Sequence, residues 1–187
     1  MNPKLLLLPV FLGVVLTVAA TTLASGSPAA HHAKRKLHPK TISPRPVHHV
    51  NPVVVKRLRK TVWFWQSVMG TRRHASVKAP LHTVRALRYW RRQARQVTRL
   101  AGRPPHKSGW LCIHRYEGRW GDDSDPYWGG LQMDRGFMLT YAPRVLLRRG
   151  WANHWTPLQQ MWVAERAHRS GRGYWPWPNT ARVCGLI

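Results

Sequence analysis

The stretch WLCIHRYEGRWGDDSDPYWGGLQM, residues 110–133, contains the first acidic side chain of the chain, Glu117, after 116 residues without an Asp or Glu. Ser108, just before this stretch, is placed to cap a helix through LCIHRYEG, and Gly118 is placed to end it. The stretch therefore predicts a short helix that ends next to the first carboxyl group of the chain.

Two roles are open for Glu117. On the predicted helix Trp110, Ile113 and Glu117 lie on one face, because they stand at positions i, i+3 and i+7. A carboxyl held against Trp and Tyr side chains loses hydration, which favours its neutral, proton-donating form. In the alternative, Glu117 is an exposed acid at the helix end that pairs with Arg115 or Arg119.

The turn-rich run GDDSDPYWGGLQM, residues 121–133, predicts a small β-hairpin beside the end of this helix. Asp125-Pro126 and Gly129-Gly130 bracket a Tyr-Trp pair. The glycines let a ligand approach the backbone, the aromatic rings can stack on sugar faces, and Gln132 can bond sugar hydroxyls or amides. The same residues could instead form only a tight turn with a packed aromatic ring.

Charge divides the chain near Pro104-Pro105. Residues 1–106 contain 20 Lys or Arg and no acid, whereas residues 107–187 contain 11 Lys or Arg and all six acids. A field this positive attracts polyanions of any kind, including nucleic acid, anionic lipid and wall teichoic acids, so charge alone names no partner. It does predict that such binding weakens strongly with salt.

The N-terminus, residues 1–26, has the order of regions of a secretory signal: one Lys, an apolar run and then small residues. Cleavage is expected after Ala24 or Gly26. The alternative is an uncleaved anchor, because the run to Ala24 is long enough to span a bilayer. Either way, we expect the rest of the chain to work outside the cytosol.

The two cysteines, Cys112 and Cys184, are expected to form a disulfide rather than a metal site or a reactive thiol, because the chain is predicted to be exported. Closing a loop of this length is worth roughly 4 kcal/mol in the chain-entropy model.

Residues 27–52 consist largely of Pro, His, Lys and Ala and predict a basic, extended stalk that cannot bury a core. The pairs His31-His32 and His48-His49 have no carboxylate or Cys beside them, so we expect no metal site there. No cofactor is expected either.

Residues 53–106 predict a basic helical region. One helix runs over residues 53–68 and ends at Gly70, and a second runs over residues 83–100. Most other positions of the second helix are arginine. These helices can lie on an anionic polymer or membrane surface. In the alternative, they pack on one another or on the C-terminal domain and show a solvated charged face. The apolar face of the second helix is expected to comprise Val84, Leu87, Trp90, Ala94, Val97 and Leu100.

The run TPLQQMWVAERAHRSG, residues 156–171, predicts a helix with a buried stripe that includes Leu158, Met161 and Trp162. Glu165 has Arg169 at i+4, so a surface salt bridge is expected for it.

Taken in order, Trp110, the helix ending in Glu117, Trp120, YWGGLQM, TPLQQMWVAE and GRGYWPWP with a late Cys resemble the transglycosylase-like domain of the resuscitation-promoting factors. The resemblance covers about residues 107–187. It implies an α+β, mainly α, lysozyme-like domain with a short β-hairpin, acting on the glycan strands of peptidoglycan. Glu117 matches the catalytic acid of the family. Tyr127, Gly129, Gly130 and Gln132 match its aromatic-Gly-Gly-x-Gln hairpin in the substrate cleft.

The chain departs from the family pattern in two places. In the family a Cys directly precedes the glutamate, whereas here Tyr116 does and Cys112 lies one helical turn earlier, on the same face. The link from Glu117 to Trp120 is also short, consisting of Gly118-Arg119 alone.

We therefore expect a secreted, wall-associated enzyme that cuts the β-1,4 bond between N-acetylmuramic acid and N-acetylglucosamine, as a lytic transglycosylase with one catalytic glutamate. The alternatives are a hydrolase using a second carboxylate from Asp122, Asp123 or Asp125, and a non-catalytic module for wall binding or signalling. Glycan strands and, through the basic half, anionic wall polymers or a membrane surface are the expected partners; nucleic acid is not. The candidate substrate-binding residues are Trp120, Tyr127, Trp128, Gly129, Gly130 and Gln132.

Overall fold

A computed structural model of the chain describes residues 50–73 and 79–187. These residues all belong to one compact unit, Arg45–Ile187. The predicted signal or anchor (residues 1–26), the two His pairs and the stalk up to residue 49 lie outside the described residues.

The described residues are mainly helical with one two-stranded antiparallel sheet, which confirms the predicted mainly α class with a short hairpin. In the sheet Tyr127 pairs with Asp134 and Trp128 with Met133. Within the described ranges, no helix combines the length and apolar character needed to cross a bilayer. The elements are α1 (Pro52–Met69), α2 (Val84–Ala101), α3 (Lys107–Glu117), β1 (Tyr127–Trp128), β2 (Met133–Asp134), α4 (Arg135–Tyr141), α5 (Arg144–Leu147), a 3-10 turn (Ala152–His154), α6 (Pro157–Ala167), a π-helical turn (His168–Arg172) and α7 (Pro178–Val183).

Helix α1 has clear start and stop signals. The Asn51 side chain accepts a hydrogen bond from the backbone N–H of Val53 at 2.9 Å, and Pro52 occupies the first turn, where its missing N–H costs nothing. At the other end Gly70 adopts the left-handed conformation, with φ +68°. The predicted helix over residues 53–68 is thus confirmed, and Asn51 and Pro52, assigned to the stalk from sequence, belong to its start.

Helix α2 packs its apolar side against α1. Thr83 caps it by accepting from the N–H of Ala86 at 3.2 Å. Trp90 is buried and meets Trp63 of α1 edge to face, with ring centroids 6.1 Å apart. The prediction for Leu100 is wrong, because that side chain is 51% exposed and Ala101 occupies the buried position instead. The buried residues of α2 are Ala86, Trp90, Ala94, Val97 and Ala101.

The C-terminal ends of α1 and α2 are hydrogen-bonded to α6 and the turn after it. Trp162 donates its indole N–H to the Ala101 carbonyl at 2.8 Å. Arg166 donates to the Ser67 carbonyl at 3.2 Å, and Arg169 donates to the Met69 carbonyl. These side chains satisfy carbonyls that a helix end leaves without partners. Of the two interpretations of the basic helical region, packing on itself and on residues 107–187 is therefore confirmed.

Helix α6 is the central element of the core. It starts with a capping box, in which Thr156 accepts from the Gln159 N–H and the Gln159 side chain accepts from the Thr156 N–H. The predicted stripe is buried at Met161 and Trp162, and Leu158 is half-buried. Helix α6 contacts α1, α3 and α4, so these three helices pack on one common element.

Glu165 of α6 is buried rather than on the surface. Its side chain is fully buried and accepts hydrogen bonds from the His106 backbone N–H at 2.7 Å and the Trp110 indole N–H at 2.8 Å. The His106 ring nitrogen lies 3.1 Å from the second carboxylate oxygen. The predicted salt bridge to Arg169 is wrong; Arg169 instead donates to the backbone carbonyl of Glu165 at 3.3 Å.

A second histidine completes the environment of this buried carboxylate. The rings of His106 and His168 lie 4.0 Å apart, and His168 also meets Tyr174 edge to face. Burial lowers the pKa of His168, the nearby His106 lowers it further, and Glu165 acts in the opposite direction. Burial, with Glu165, raises the pKa of the Tyr174 hydroxyl. This cluster joins α3, α6 and the C-terminal segment.

Candidate active site

Glu117 is the last residue of α3. The helix begins at Lys107 with no side-chain cap, so the predicted cap at Ser108 is wrong, while Gly118 ends the helix as predicted. Trp110 and Ile113 are fully buried on the face that Glu117 shares. They fix the rotation of α3, so Glu117 is half-buried rather than free in solvent.

The carboxylate of Glu117 has one hydrogen-bond partner within the described ranges. The Thr180 hydroxyl of α7 donates to its Oε1 at 2.7 Å. Glu117 forms no ion pair with Arg115 or Arg119, because the only ion pair among the described residues joins Glu165 and His106. The alternative of an exposed, arginine-paired acid is therefore wrong. The second carboxylate oxygen, Oε2, accepts no hydrogen bond within the described ranges.

The disulfide between Cys112 and Cys184 holds the same two helices together. It joins α3 to the residue that ends α7, with Cα atoms 6.0 Å apart, which confirms the predicted pairing. Ala181 of α7 is fully buried next to Thr180. Both the covalent bond and the Thr180 hydrogen bond thus set where the Glu117 carboxylate lies.

Gly118, the residue after Glu117, lies close to two polar side chains. A β-carbon at this position would lie 3.0 Å from Asp122 Oδ2 and 3.0 Å from Gln132 Nε2. A larger residue would have to displace one of these groups. The fold therefore brings Asp122 and Gln132 beside the end of the helix that carries Glu117.

Asp122 is the acid that the structure places nearest to this helix end among the three candidates for a second carboxylate. It accepts from the Ser124 hydroxyl at 2.8 Å, the Ser124 N–H at 3.2 Å and Gln132 Nε2 at 2.8 Å. The hydrogen bonds from the Ser124 side chain and backbone hold the pKa of Asp122 below its usual value. Asp122 is therefore ionised at neutral pH. Asp123 and Asp125 are exposed.

The glycines of the hairpin turn are positions where no larger side chain fits. Gly129 has φ +75°, and its β-carbon would lie 2.5 Å from the Gln160 side chain. A β-carbon on Gly130 would lie 2.6 Å from the His114 ring and 2.8 Å from the Trp120 ring. Gly130 also donates its N–H to Gln160 at 2.9 Å. The two glycines thus let the hairpin pack directly against α3 and α6.

The predicted binding residues are partly engaged in internal contacts. Gln132 donates to Asp122 and to the Gly129 carbonyl, so its amide orients the hairpin in addition to any contact with a ligand. Trp120 stacks on the His114 ring, with centroids 3.9 Å apart. Trp128 is half-buried against Trp151, whereas Tyr127 is 48% exposed.

An open depression of about 680 Å³ lies beside the end of α3. Its walls come from the link between α3 and the hairpin, and its first residue, Gly118, directly follows Glu117. The lining residues are Gly118, Arg119, Gly121, Asp122, Asp123 and Ser124. The wall carries two carboxylates and one guanidinium, which can bond a hydroxyl-rich ligand. Glu117 and the predicted binding residues of the hairpin are not among the lining residues.

Sequence reasoning missed two residues that organise this site. The fully buried Gln160 of α6 donates its amide to the carbonyls of Trp120, Ala152 and Trp155 and accepts from Gly130. Thr180 holds Glu117. Polar residues at these positions gave no local signal, because each acts on a residue 30 or more positions away.

No group of three or more His, Cys, Asp or Glu side chains that could hold a metal ion occurs in the part of the chain that the structure describes. No family model, curated protein or solved structure matches this chain.

Proposed function

We propose that the chain is a peptidoglycan-cleaving enzyme of lysozyme-like architecture in which Glu117 transfers the protons. The observation that carries the proposal is the setting of Glu117: half-buried, held by Thr180 on one oxygen, without an ion pair among the described residues, and followed directly by Gly118, which lines an open depression. The resemblance of residues 107–187 to the resuscitation-promoting factors supplies the substrate class, the glycan strand.

In the proposed reaction Glu117 acts first as an acid and then as a base. It donates its proton to the oxygen between C1 of N-acetylmuramic acid and C4 of N-acetylglucosamine, and the C1–O bond breaks. The 6-hydroxyl of the muramic acid then attacks C1 and gives its proton to the Glu117 carboxylate. The products are a 4-hydroxyl end and a 1,6-anhydro end, so no water is consumed.

Asp122 supports hydrolysis as the second candidate reaction. Its hydrogen bonds keep it ionised, which suits a nucleophile or a base that activates water. Those same bonds to Ser124 and Gln132 also occupy its oxygens. We therefore place transglycosylation first and hydrolysis second.

The products of the full, disulfide-bonded chain acting on purified peptidoglycan distinguish these reactions. We expect soluble muropeptides with 1,6-anhydro ends in mass spectra. Reducing ends would point to Asp122 and hydrolysis, and the absence of any cleavage product together with retained glycan binding would identify a non-catalytic wall-binding module.

We further propose that the arginine face of α2 (Arg88, Arg91, Arg92, Arg95 and Arg99) holds the enzyme on anionic wall polymers. All five side chains are exposed and border an open groove of about 840 Å³. Like charges at i and i+4 destabilise a helix, and a polyanion would relieve that repulsion. A wall polymer fits better than a membrane, because the apolar side of α2 is packed on α1.

Replacing Arg88, Arg92 and Arg95 by Gln is expected to lower binding to isolated anionic wall polymer by at least about tenfold at low salt and to reduce the slope of log affinity against log salt by about 2. Pull-down over a salt series measures both quantities. The matched control removes the same charge from separate places, with Arg144, Arg172 and Arg182 replaced by Gln. An equal loss in both variants would show that net charge alone, rather than this face, is responsible.

A further inference from the structure

A pocket of about 560 Å³ between α1 and α5 is separate from the depression beside Glu117. Its walls come from α1, the residue Arg73 that follows this helix, and α5 with the two residues after it. Its charged and aromatic lining residues are Lys60, Arg73, Arg148, Arg149, Trp63 and Phe64. No residue of this pocket has a role in the function proposed above.

The four cations of this pocket have no carboxylate partner. All six acids of the chain lie within residues 117–165, and none lines the pocket. Among the described residues the only ion pair is the distant one between Glu165 and His106. Four positive side chains around one cavity create a field that only an anion would neutralise.

Aromatic rings hold the guanidinium groups in place. The Arg149 guanidinium carbon lies 4.6 Å from the Phe64 ring centroid, and that of Arg73 lies 5.7 Å from the Trp63 ring centroid. Arg59 lies 4.7 Å from the same Trp63 ring. An arginine stacked on an aromatic face keeps its N–H edge free for two-point bonding to an oxyanion. The aromatic rings thus restrict the positions of two of the four cations, Arg73 and Arg149.

The wall formed by α1 also contains a donor that lacks an acceptor. The indole N–H of Trp63, a lining residue, is buried and forms no hydrogen bond within the described residues. Buried donors are normally paired. An unpaired donor beside four cations is what a site built for an acceptor-rich ligand would show.

We propose that this pocket binds a phosphate ester. A carboxylate offers two oxygens and one negative charge, whereas a phosphate monoester offers three terminal oxygens and up to two negative charges, and successive repeats of a phosphodiester polymer add one charge each. The cavity exceeds the size of the phosphate itself, and the Trp63 and Phe64 rings border the space for the carbon skeleton that the phosphate carries. The ester is either a free metabolite-sized molecule or one repeat of a phosphodiester polymer.

Isothermal titration of the full, disulfide-bonded chain with glycerol phosphate tests the proposal, with poly(glycerol phosphate) as a second probe. We expect saturable binding of glycerol phosphate at one site, and at least a tenfold loss in the double variant Arg148→Gln, Arg149→Gln. The matched control, Arg172→Gln with Arg182→Gln, removes the same charge from two exposed positions outside the pocket and outside the arginine face of α2, and should change the affinity less than twofold. Circular dichroism of both variants confirms that they fold.

Each outcome of this titration leads to a different conclusion about the pocket. No saturable binding of either probe, or an equal loss in both double variants, overturns the proposal, since charge alone would then be responsible. Saturable binding of only the polymer, lost in the Arg148/Arg149 variant and kept in the control, assigns the pocket to a polymer repeat; binding of glycerol phosphate assigns it to a free ester. Neither probe contains the glycan bond, so this titration tests phosphate binding independently of the proposed glycan cleavage.

Discussion

Glu117→Gln is expected to lower the rate of glycan cleavage by at least about 100-fold, the lower end of what a general acid or base contributes. Glutamine keeps the size of the side chain and an oxygen that accepts from Thr180, but it has no proton to give to the glycosidic oxygen. Binding of glycan oligomers and thermal stability should therefore stay close to those of the parent chain. Release of muropeptides over time, measured beside oligomer binding, checks both parts.

Asp122→Asn is the matched control for this experiment. Asp122 lies beside the same helix end and is also half-buried, so the variant removes a second carboxylate from one site without changing its shape. For transglycosylation we expect a loss of less than about tenfold, whereas a loss as large as that of Glu117→Gln would assign Asp122 a part in hydrolysis. An unchanged cleavage rate in the Glu117→Gln variant would show that Glu117 takes no part in the reaction.

Glu165→Ala is expected to lower the free energy of unfolding by about 3–5 kcal/mol, the combined cost of two donors left without their acceptor and of the cavity. The substitution leaves the Trp110 indole N–H and the His106 backbone N–H without their acceptor inside the core, and it opens a cavity in α6. Urea denaturation of the oxidised protein measures the loss.

Two further variants provide comparisons for the stability loss of Glu165→Ala. Glu165→Gln keeps one acceptor oxygen and the volume of the side chain, so we expect a loss of about half that of the alanine variant. Asp123→Ala removes an exposed acid and should change stability by no more than about 0.5 kcal/mol. A loss of unfolding free energy below about 1 kcal/mol for Glu165→Ala would mean that the hydrogen bonds accepted by Glu165 contribute little to the stability of the fold.

Glu165 also shows where prediction from sequence stops. Its spacing from Arg169 fits a surface ion pair, and no local pattern distinguishes that arrangement from a buried one. What decides its environment is the return of His106 and Trp110, 59 and 55 residues earlier in the chain. Such contacts depend on how α3 and α6 pack and leave no periodic trace in either helix.

Features with a local physical cause were predictable. Gly70 and Gly118 end their helices because glycine suits positions where helical hydrogen bonding stops, and the turn residues around Tyr127 and Trp128 specify the hairpin. The predicted burial of Leu100 failed because it depends on a contact between helices rather than on the local sequence. The apolar arc of α2 is wide, and the position of α1 decides which of its edges is buried.

The candidate site likewise contains some features that were predictable from sequence and some that were not. Helix periodicity placed Glu117 on the buried face of α3, and the cysteine count gave the disulfide. Its hydrogen-bond partner Thr180 and the support of the hairpin by Gln160 were invisible, since each bond joins positions far apart in the chain.

The bridge between Cys112 and Cys184 links the geometry of the candidate site to the oxidation state of the chain. Helix α7 is only six residues long, and it brings Thr180 to Glu117 from 63 positions away. With both thiols reduced, no covalent bond opposes the separation of α3 and α7, so we expect the Glu117 carboxylate to be held less firmly. The candidate site should therefore be sensitive to reductant, and the chain should reach its full stability only where the bridge can form.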